Sequence, residues 1–524
     1  MCYPTPQELG LAARALADEH PGEVRLRQAG TSRAGQPIWV LSVAATAGPG
    51  TVGPGDAVGP GGTNSPVGTD SPARPVCAGD PGGPGGPGGP GGANSPGGPG
   101  GAVGAVGAVG AGGAGDPGGT GGANSPGGPN SAGGAGGAGG AGGTGGTRNV
   151  LVVAGAHANE PVGGATALAL ARRILREPAP RAGCGWHFLL CADPDGADLH
   201  RTPRPYSLLD YHRYFYRPPG PEQPEWAPSL LPADRLPPET LALTALIDEL
   251  RPVLQVSLHA TDLGGSWVQL TRDIPGLAEP FGKSAAELRI PVENGASDAA
   301  GWPSPGPGIF VIPQPGSEAA GAFHPEDTRL STWYHAHRYA GTTAIVEVPM
   351  WASDLVDDPA PHPDPRGALR MLAGRLTADA ALVGAARERA RSRERPVPGA
   401  YEDPAAAPLL RAVDWTLALI PLITAEWTGA GAPAEATAAY IASIDAFGRR
   451  LSLRAAAMLL RVLRPEGHPA APGLDRLVTG WCEEFAARFG ARWIPVATQV
   501  EHQSRTVLAA YEKLVAAGRS TGRA

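Results

Sequence analysis

The chain alternates between two apolar patterns. Short runs in which nearly every residue is apolar read as buried strands, and longer stretches with apolar residues three or four apart read as helices. Pro6 to Asp18 has helical spacing in Leu9, Leu11, Ala12 and Leu16, and Val24 to Ala29 alternates like a half-buried strand. A turn at Gly35-Gln36-Pro37 leads into a strand over Ile38–Val43. Further on, strands over Val150–Ala156, Trp186–Cys191, Val253–Leu258 and Thr343–Val348 are separated by helices over Val162–Leu175, Leu241–Leu250 and Leu277–Leu288. Such alternation implies an α/β fold with a mixed, largely parallel central sheet flanked by helices. From about residue 366 the pattern is helical only. Helices are expected near 366–391, 405–428, 434–463, 472–489 and 499–517.

Composition changes this picture in one place. More than half of the 78 Gly fall in residues 46–147, interspersed with Pro, Ala, Ser and Asn, and Gly-Gly-Ala-Asn-Ser-Pro-Gly-Gly-Pro occurs there at 91–99 and again at 121–129. Almost no large apolar side chain lies there, so burial cannot offset the entropy of ordering and the segment reads as disordered. A sustained Gly-X-Y triplet is missing, which excludes collagen. Forty-odd residues before it are too few for a core of their own, so it interrupts one domain instead of separating two. Closing a loop of about 100 residues costs only roughly 2–3 kcal/mol more than closing a five-residue one. The expected organisation is one α/β domain from 1–45 and 148–393, the insertion at 46–147, and a helical C-terminal extension at 394–524.

Charge and cysteines narrow the partners. A net charge of -7 argues against nucleic acid. Five cysteines with no C-x-x-C pair suggest neither a disulfide framework nor a thiolate metal site. The stretch Leu409–Trp427 carries Arg411, Asp414, Pro421 and Glu426, and so reads as a buried helix more than a membrane span. No basic and apolar leader opens the chain, so a cytoplasmic protein with no membrane partner is expected.

Candidate chemistry sits at the ends of the apolar runs. His157-Ala158-Asn159-Glu160 follows the first strand after the insertion, and His259 follows Val253–Leu258. In an open parallel sheet the carboxyl ends of strands share a rim, where sites form. Two imidazoles and a carboxylate on that rim suit zinc with its fourth position open, the pattern of hydrolytic sites. Glu347 lies inside the apolar run Thr343–Val348, where an unpaired carboxylate is costly unless it has a function. Beside activated water it is a candidate general base.

These motifs, in this order, resemble the zinc metallocarboxypeptidases of the carboxypeptidase A type. His157–Glu160 stands for the family's His-x-x-Glu, Asp193-Pro194-Asp195-Gly196 for Asn-Pro-Asp-Gly, and Asp210-Tyr211-His212-Arg213 for Asp-x-Asn-Arg. The opening, Tyr3 to Val43, resembles the family's first helix and hairpin. The resemblance covers about 3–45 and 148–390. It implies one zinc ion held by His157, Glu160 and His259, with Glu347 as base. It implies Arg213, with His212 where the family has Asn, on the substrate's terminal carboxylate. Arg204 would face the oxyanion, with Arg201 the competing choice, and Asp210 would support the first zinc histidine. The implied substrate is a peptide with a free C-terminal carboxylate, cleaved at its terminal peptide or isopeptide bond. The family's mobile tyrosine has no secure counterpart, His324 and Tyr334 being nearest, and Ser331 is a weak guess for the specificity position. His335 and His337 read as surface histidines. Two other functions stay open: a deacylase of the aspartoacylase and succinylglutamate desuccinylase type, and a noncatalytic peptide-binding protein.

Overall fold

The computed structural model describes residues 2–47, 147–201, 203–204, 206–313, 327–391 and 403–521, with side chains to 517. All but the ends of the expected insertion, together with His324 and the expected boundary at 393/394, lies outside the described residues. Helix α1 (Pro6–Glu19) opens with a capping box: Thr5 Oγ1 accepts from Glu8 N, and the Glu8 carboxylate accepts from Thr5 N. Pro6 at the first turn lacks the amide that would otherwise be left unpaired. Strands β1 (Val24–Thr31) and β2 (Pro37–Val43) form an antiparallel hairpin with a bulge between Gln28 and Gly30.

Beyond the insertion come β3 (Arg148–Ala154), α2 (Val162–Arg176), β4 (Cys184–Leu189) and the short helices α3 (Pro194–Leu199), α4 (Leu208–Arg213) and α5 (Ala227–Leu230). Helix α6 (Pro238–Leu250), β5 (Leu254–Gly264), β6 (Trp267–Leu270), α7 (Ala278–Leu288), β7 (Ile309–Val311), α8 (Thr332–His335) and β8 (Thr342–Ala352) follow. Five helices and a two-residue strand end the chain: α9 (Pro365–Arg391), α10 (Ala407–Thr428), α11 (Ala438–Leu463), α12 (Ala471–Phe489), β9 (Arg492–Trp493) and α13 (Val496–Thr521).

The sheet order is β1-β2-β4-β3-β5-β8-β6-β7, with β9 on the end of β8. Strands β4, β3, β5 and β8 are parallel, and β1, β2, β6 and β9 bring the antiparallel pairings. The mixed, largely parallel sheet flanked by helices is the architecture the apolar pattern implies. Its central strands are continuous apolar runs because both faces are covered. Val150, Val152 and Ala154 pack with α1, α2 and α13, while Leu151 and Val153 pack against Leu243, Leu246 and Ile247 of α6.

Two strands outrun their sequence pattern. β5 continues six residues past Leu258 and β8 four past Val348, through Thr261, Asp262 and Pro349, where polar residues and proline mask the period. The helical C-terminal region joins the same core. Leu263 and Met350 of the sheet cluster with Ala446 and Met458 of α11 and Phe485 of α12. Helix α10 is long and apolar enough to cross a membrane by length and composition, yet Leu409, Leu410, Val413, Ile420 and Trp427 are buried inside the molecule. Cys184, Cys191 and Cys482 are buried free thiols.

The seat of α13 has a consequence for acid stability. His502 is fully buried between the hydroxyls of Ser266, 2.8 Å from Nε2, and Ser284, 2.9 Å from Nδ1. Burial, aided by Arg505, lowers its pKa to about 3. Unfolded, this histidine takes a proton below about pH 6.5; folded, it does not until about pH 3. The contribution is therefore complete above pH 6.5 and is lost as pH falls towards 3. Between pH 7 and pH 5 His502 is expected to account for about 2 kcal/mol of lost stability. Denaturant unfolding of the parent and of His502→Gln at both pH values checks this. An equal loss in the two proteins would refute it.

Candidate metal centre

Four of the sequence-selected residues reach the centre from a strand end or through strand register. Gly155, directly after β3, has φ +62°, and a Cβ there would lie 2.8 Å from Cys191 Sγ. Only glycine fits, and the turn it allows carries His157 and Glu160 over the sheet. His259 and Glu347 are register partners on the parallel strands β5 and β8, so their side chains emerge next to each other on one face. His259 thus lies within a strand and not at its end. That part of the ladder is braced from α13: Gln503 Nε2 donates to the carbonyls of His259 (2.6 Å) and Val346 (3.2 Å), and its Oε1 accepts from Thr166 (2.7 Å).

The structure brings His157, Glu160, His259 and Glu347 together, all buried. The Glu160 carboxylate lies between the two imidazoles, with Oε1 3.0 Å from His157 Nδ1 and Oε2 3.1 Å from His259 Nδ1. Ala260 N also donates to Oε2 at 3.1 Å. Glu347 Oε1 stands 3.7 Å from His259 Nδ1. The rings are nearly perpendicular, with centroids 4.6 Å apart.

A further carboxylate, which no sequence motif indicated, approaches the other ring nitrogens. Glu225 Oε2 is 3.0 Å from His259 Nε2 and 3.9 Å from His157 Nε2, and Oε1 accepts a short hydrogen bond from Ser257. His157, Glu225 and His259 offer ligand atoms within 4.8 Å of one another, and all three side chains are buried. Two imidazoles flanked by two buried carboxylates form a donor set suited to zinc on either side of the rings. The cavity distinguishes the sides: its lining includes His157, Glu160, His259 and Glu347 but not Glu225.

Electrostatics follow this arrangement. Burial, with some help from the Glu160 charge, pushes Glu347 up to about 8, against the pull of His259. Burial also favours a neutral Glu160, but His157 and His259 outweigh it and hold the group well below the usual carboxylate range. Burial and Arg217 lower His157 to about 4, while Glu225 and Glu160 overcome burial to raise His259 well above the ordinary histidine range.

The other sequence-selected residues lie elsewhere. Asp210 accepts from Ser207 Oγ at 2.6 Å at the start of α4, so the carboxylate beside the histidine rings is Glu225 instead. Arg213, on the last turn of α4, donates to Asp475 (3.3 Å) and Thr479 (3.2 Å) of α12. His212 is fully buried with Nδ1 2.8 Å from Leu208 O, and Nε2 lies 3.5 Å from Asp262. Arg201 is exposed and paired with Asp198, and Arg204 is exposed. The arginine at the cluster is Arg217: Nη1 donates to Glu160 Oε1 at 3.0 Å, and Nη2 lies 3.1 Å from His157 Nε2. Its sequence context, a proline-rich run from Arg217 to Glu225, has no period from which side-chain direction can be read. His335 and His337 are half-buried, the first bonded to Asp248, and neither lines the cavity. Ser331 caps α8 through Trp333 N, and it is Trp333 that faces the cavity.

The cavity, about 180 Å³, is walled partly by the sheet and partly by the C-terminal helices. Trp415 and Leu419 of α10 and Phe447, Arg450 and Arg454 of α11 face the same space as the histidines.

Residues 12–264 match the family model for zinc carboxypeptidase. The match runs from within α1 to the end of β5. It takes in His157, Glu160 and His259 and stops before Glu347 and the C-terminal helices. Among solved structures the chain is similar to a metallo-carboxypeptidase from Burkholderia cenocepacia, at 12% identity over 66% of this chain and 60% of that one, with TM-score 0.31. It is also similar to bovine thrombin-activatable fibrinolysis inhibitor in complex with tick carboxypeptidase inhibitor (10%, 66% and 86%, TM-score 0.28). A third is a metallo-carboxypeptidase from Pseudomonas aeruginosa in complex with (2-guanidinoethylmercapto)succinic acid (12%, 66% and 60%, TM-score 0.28). The chain spans 60% of the length of the Burkholderia protein. No curated protein matches it.

Proposed function

From the match to the zinc carboxypeptidase family, we propose that this protein is a zinc-dependent carboxypeptidase. It would hydrolyse the C-terminal peptide or isopeptide bond of a peptide that carries a free carboxylate. One observation carries the reading: Glu347 is the register partner of His259, on the side of the rings where Glu160 joins both Nδ1 atoms. His157, Glu160 and His259 would hold one zinc ion there, with Glu225 and Ser257 holding His259 from behind through Nε2. Zinc, when bound, supplies the Lewis acidity that makes water nucleophilic near neutral pH.

The chain's own residues do the rest. Glu347 takes a proton from the attacking water and later delivers it to the leaving amine. Its raised proton affinity suits the second step, and a divalent cation nearby favours the charged form needed for the first. Arg217, next to Glu160, is the guanidinium positioned to stabilise negative charge developing on the carbonyl oxygen, the role that Arg204 is too exposed to fill. Trp333 and the α10 and α11 side chains keep bulk water from the reacting bond.

A second reading has its own support. A cavity partly roofed by helices suits a small N-acyl amino acid, the substrate of the related deacylases. Zinc-loaded protein assayed on benzoyl-Gly-Phe, N-acetylaspartate and N-succinylglutamate separates the two. Cleavage of the peptide is expected. Release of acetate or succinate with the peptide left intact would replace the carboxypeptidase reading by the deacylase one.

A further inference from the structure

Helix α11 presents Arg450 and Arg454, one turn apart on the same face, to the cavity that holds His157, Glu160, His259 and Glu347. Both converge on Asp262, which is fully buried three residues beyond His259 on β5. Burial opposes its charge, but Arg454, Arg450 and His212 hold its carboxyl well below the usual range. Glu293, a second buried carboxylate on the cavity lining, also feels the charge of Arg450, but its oxygens accept from Ser443 Oγ and Gly265 N. The pairing is unequal. Arg454 Nη2 donates to Asp262 Oδ2 at 2.9 Å, and its guanidinium lies over the Phe215 ring at 4.7 Å. Arg450 Nε stands 3.4 Å from Asp262 Oδ1. Its terminal nitrogens reach only neutral oxygens, Thr261 Oγ1 and Leu263 O, both at 3.2 Å.

Arg450 Nε donates to Ala446 O at 3.3 Å, whereas Arg454, Arg217 and Arg213 each hydrogen-bond a carboxylate. Arg217 is tied to Glu160, His157 and Gln223, and Arg213 is drawn to α12 by Asp475 and Thr479. Among the described residues, Arg450 is therefore the cavity arginine whose planar fork has no carboxylate hydrogen-bonded to it, within a small space shared with the candidate base.

We propose that Arg450 grips the free carboxylate of the substrate, so that the C-terminal helical segment is a working part of the active site. This rests on the carboxypeptidase reading for its substrate, and two measurements keep the two apart. Calorimetry on zinc-loaded full-length protein compares N-acetylphenylalanine with N-acetylphenylalanine amide. The parent is expected to bind the acid roughly 10–100-fold more tightly than the amide, the effect of one charge-assisted fork, and Arg450→Gln to bind the two alike. Arg450→Lys should recover part of the preference. Arg449→Gln, on the neighbouring position that pairs with Asp445 and Glu484, should keep all of it. Hydrolysis of benzoyl-Gly-Phe by Arg450→Gln should show a matching rise in KM, with kcat changed little. An acid preference that survives in Arg450→Gln, or equal weakening of acid and amide, overturns the assignment. An intact calorimetric preference in the parent with no peptide hydrolysis instead overturns the carboxypeptidase reading and leaves Arg450 as a carboxylate site.

Discussion

Replacing Glu347 by glutamine is expected to leave zinc bound at the parent's stoichiometry and to cut kcat by roughly 10²–10⁴-fold or more. Glu347 lies closest to His259 Nδ1, at 3.7 Å, farther than Glu160 stands from either imidazole, so it is placed to handle protons more than to hold the ion. The amide matches the carboxylate in size and still accepts a hydrogen bond, but it cannot take a proton from water. The cost falls on the chemical step, so KM should change little. Stability should be unchanged or slightly higher, because burial and the Glu160 charge already disfavour the ionised form. Metal content by elemental analysis, a thermal melt and steady-state kinetics together check this. Turnover within tenfold of the parent would remove Glu347 from the catalytic role.

The second large effect concerns which carboxylate binds the metal. Glu160→Gln is expected to abolish stoichiometric zinc binding and, with it, activity. Glu225→Gln should still bind one zinc, but 10–100-fold more weakly, the usual cost of losing an outer carboxylate partner of a metal histidine. The reasoning is geometric. Glu160 joins the two Nδ1 atoms on the side that opens to the cavity and to Glu347, while Glu225 is sealed against the Nε2 atoms and Ser257. Zinc on the Nε2 side would be remote from the substrate space. Titration of metal-free protein with zinc, read by competition with a chromophoric chelator, measures both affinities. The opposite ranking, tight binding in Glu160→Gln and none in Glu225→Gln, would place the ion among His157, Glu225 and His259 and require a different assignment of the base.

The legible part of the site shares a feature. His157 and Glu160 follow an apolar strand through a turn that only a glycine permits, and His259 and Glu347 lie in apolar strands. A polar residue inside or just past such a run stands out, because burying it carries a cost that a core position would avoid. The illegible part lies in short or irregular segments. Asp210 and Arg213 belong to a six-residue helix, where rotation about the axis decides which face meets the cavity, and this helix turns Arg213 towards α12. Arg217 and Glu225 stand at the two ends of a proline-rich run whose direction depends on the packing of its neighbours.

By itself, then, the order of apolar periods determined strands β1 to β5 and β8, the longer flanking helices and the four residues at the sheet's heart, since strand and helix periods express local backbone geometry and burial. Strands β6, β7 and β9, two to four residues long, are too short to show a period. The same order also placed the C-terminal helices within a few residues of their ends, although nothing in their periodicity says what they cover. That was decided by tertiary structure. Asp262 on β5 meets Arg450 and Arg454 on α11 nearly 190 residues later, and Gln503 on α13 braces the carbonyls of His259 and Val346. Charge pairing and backbone hydrogen bonding between distant segments leave no period in a sequence. They exist only once the hydrophobic core has brought the partners within a few ångströms of each other.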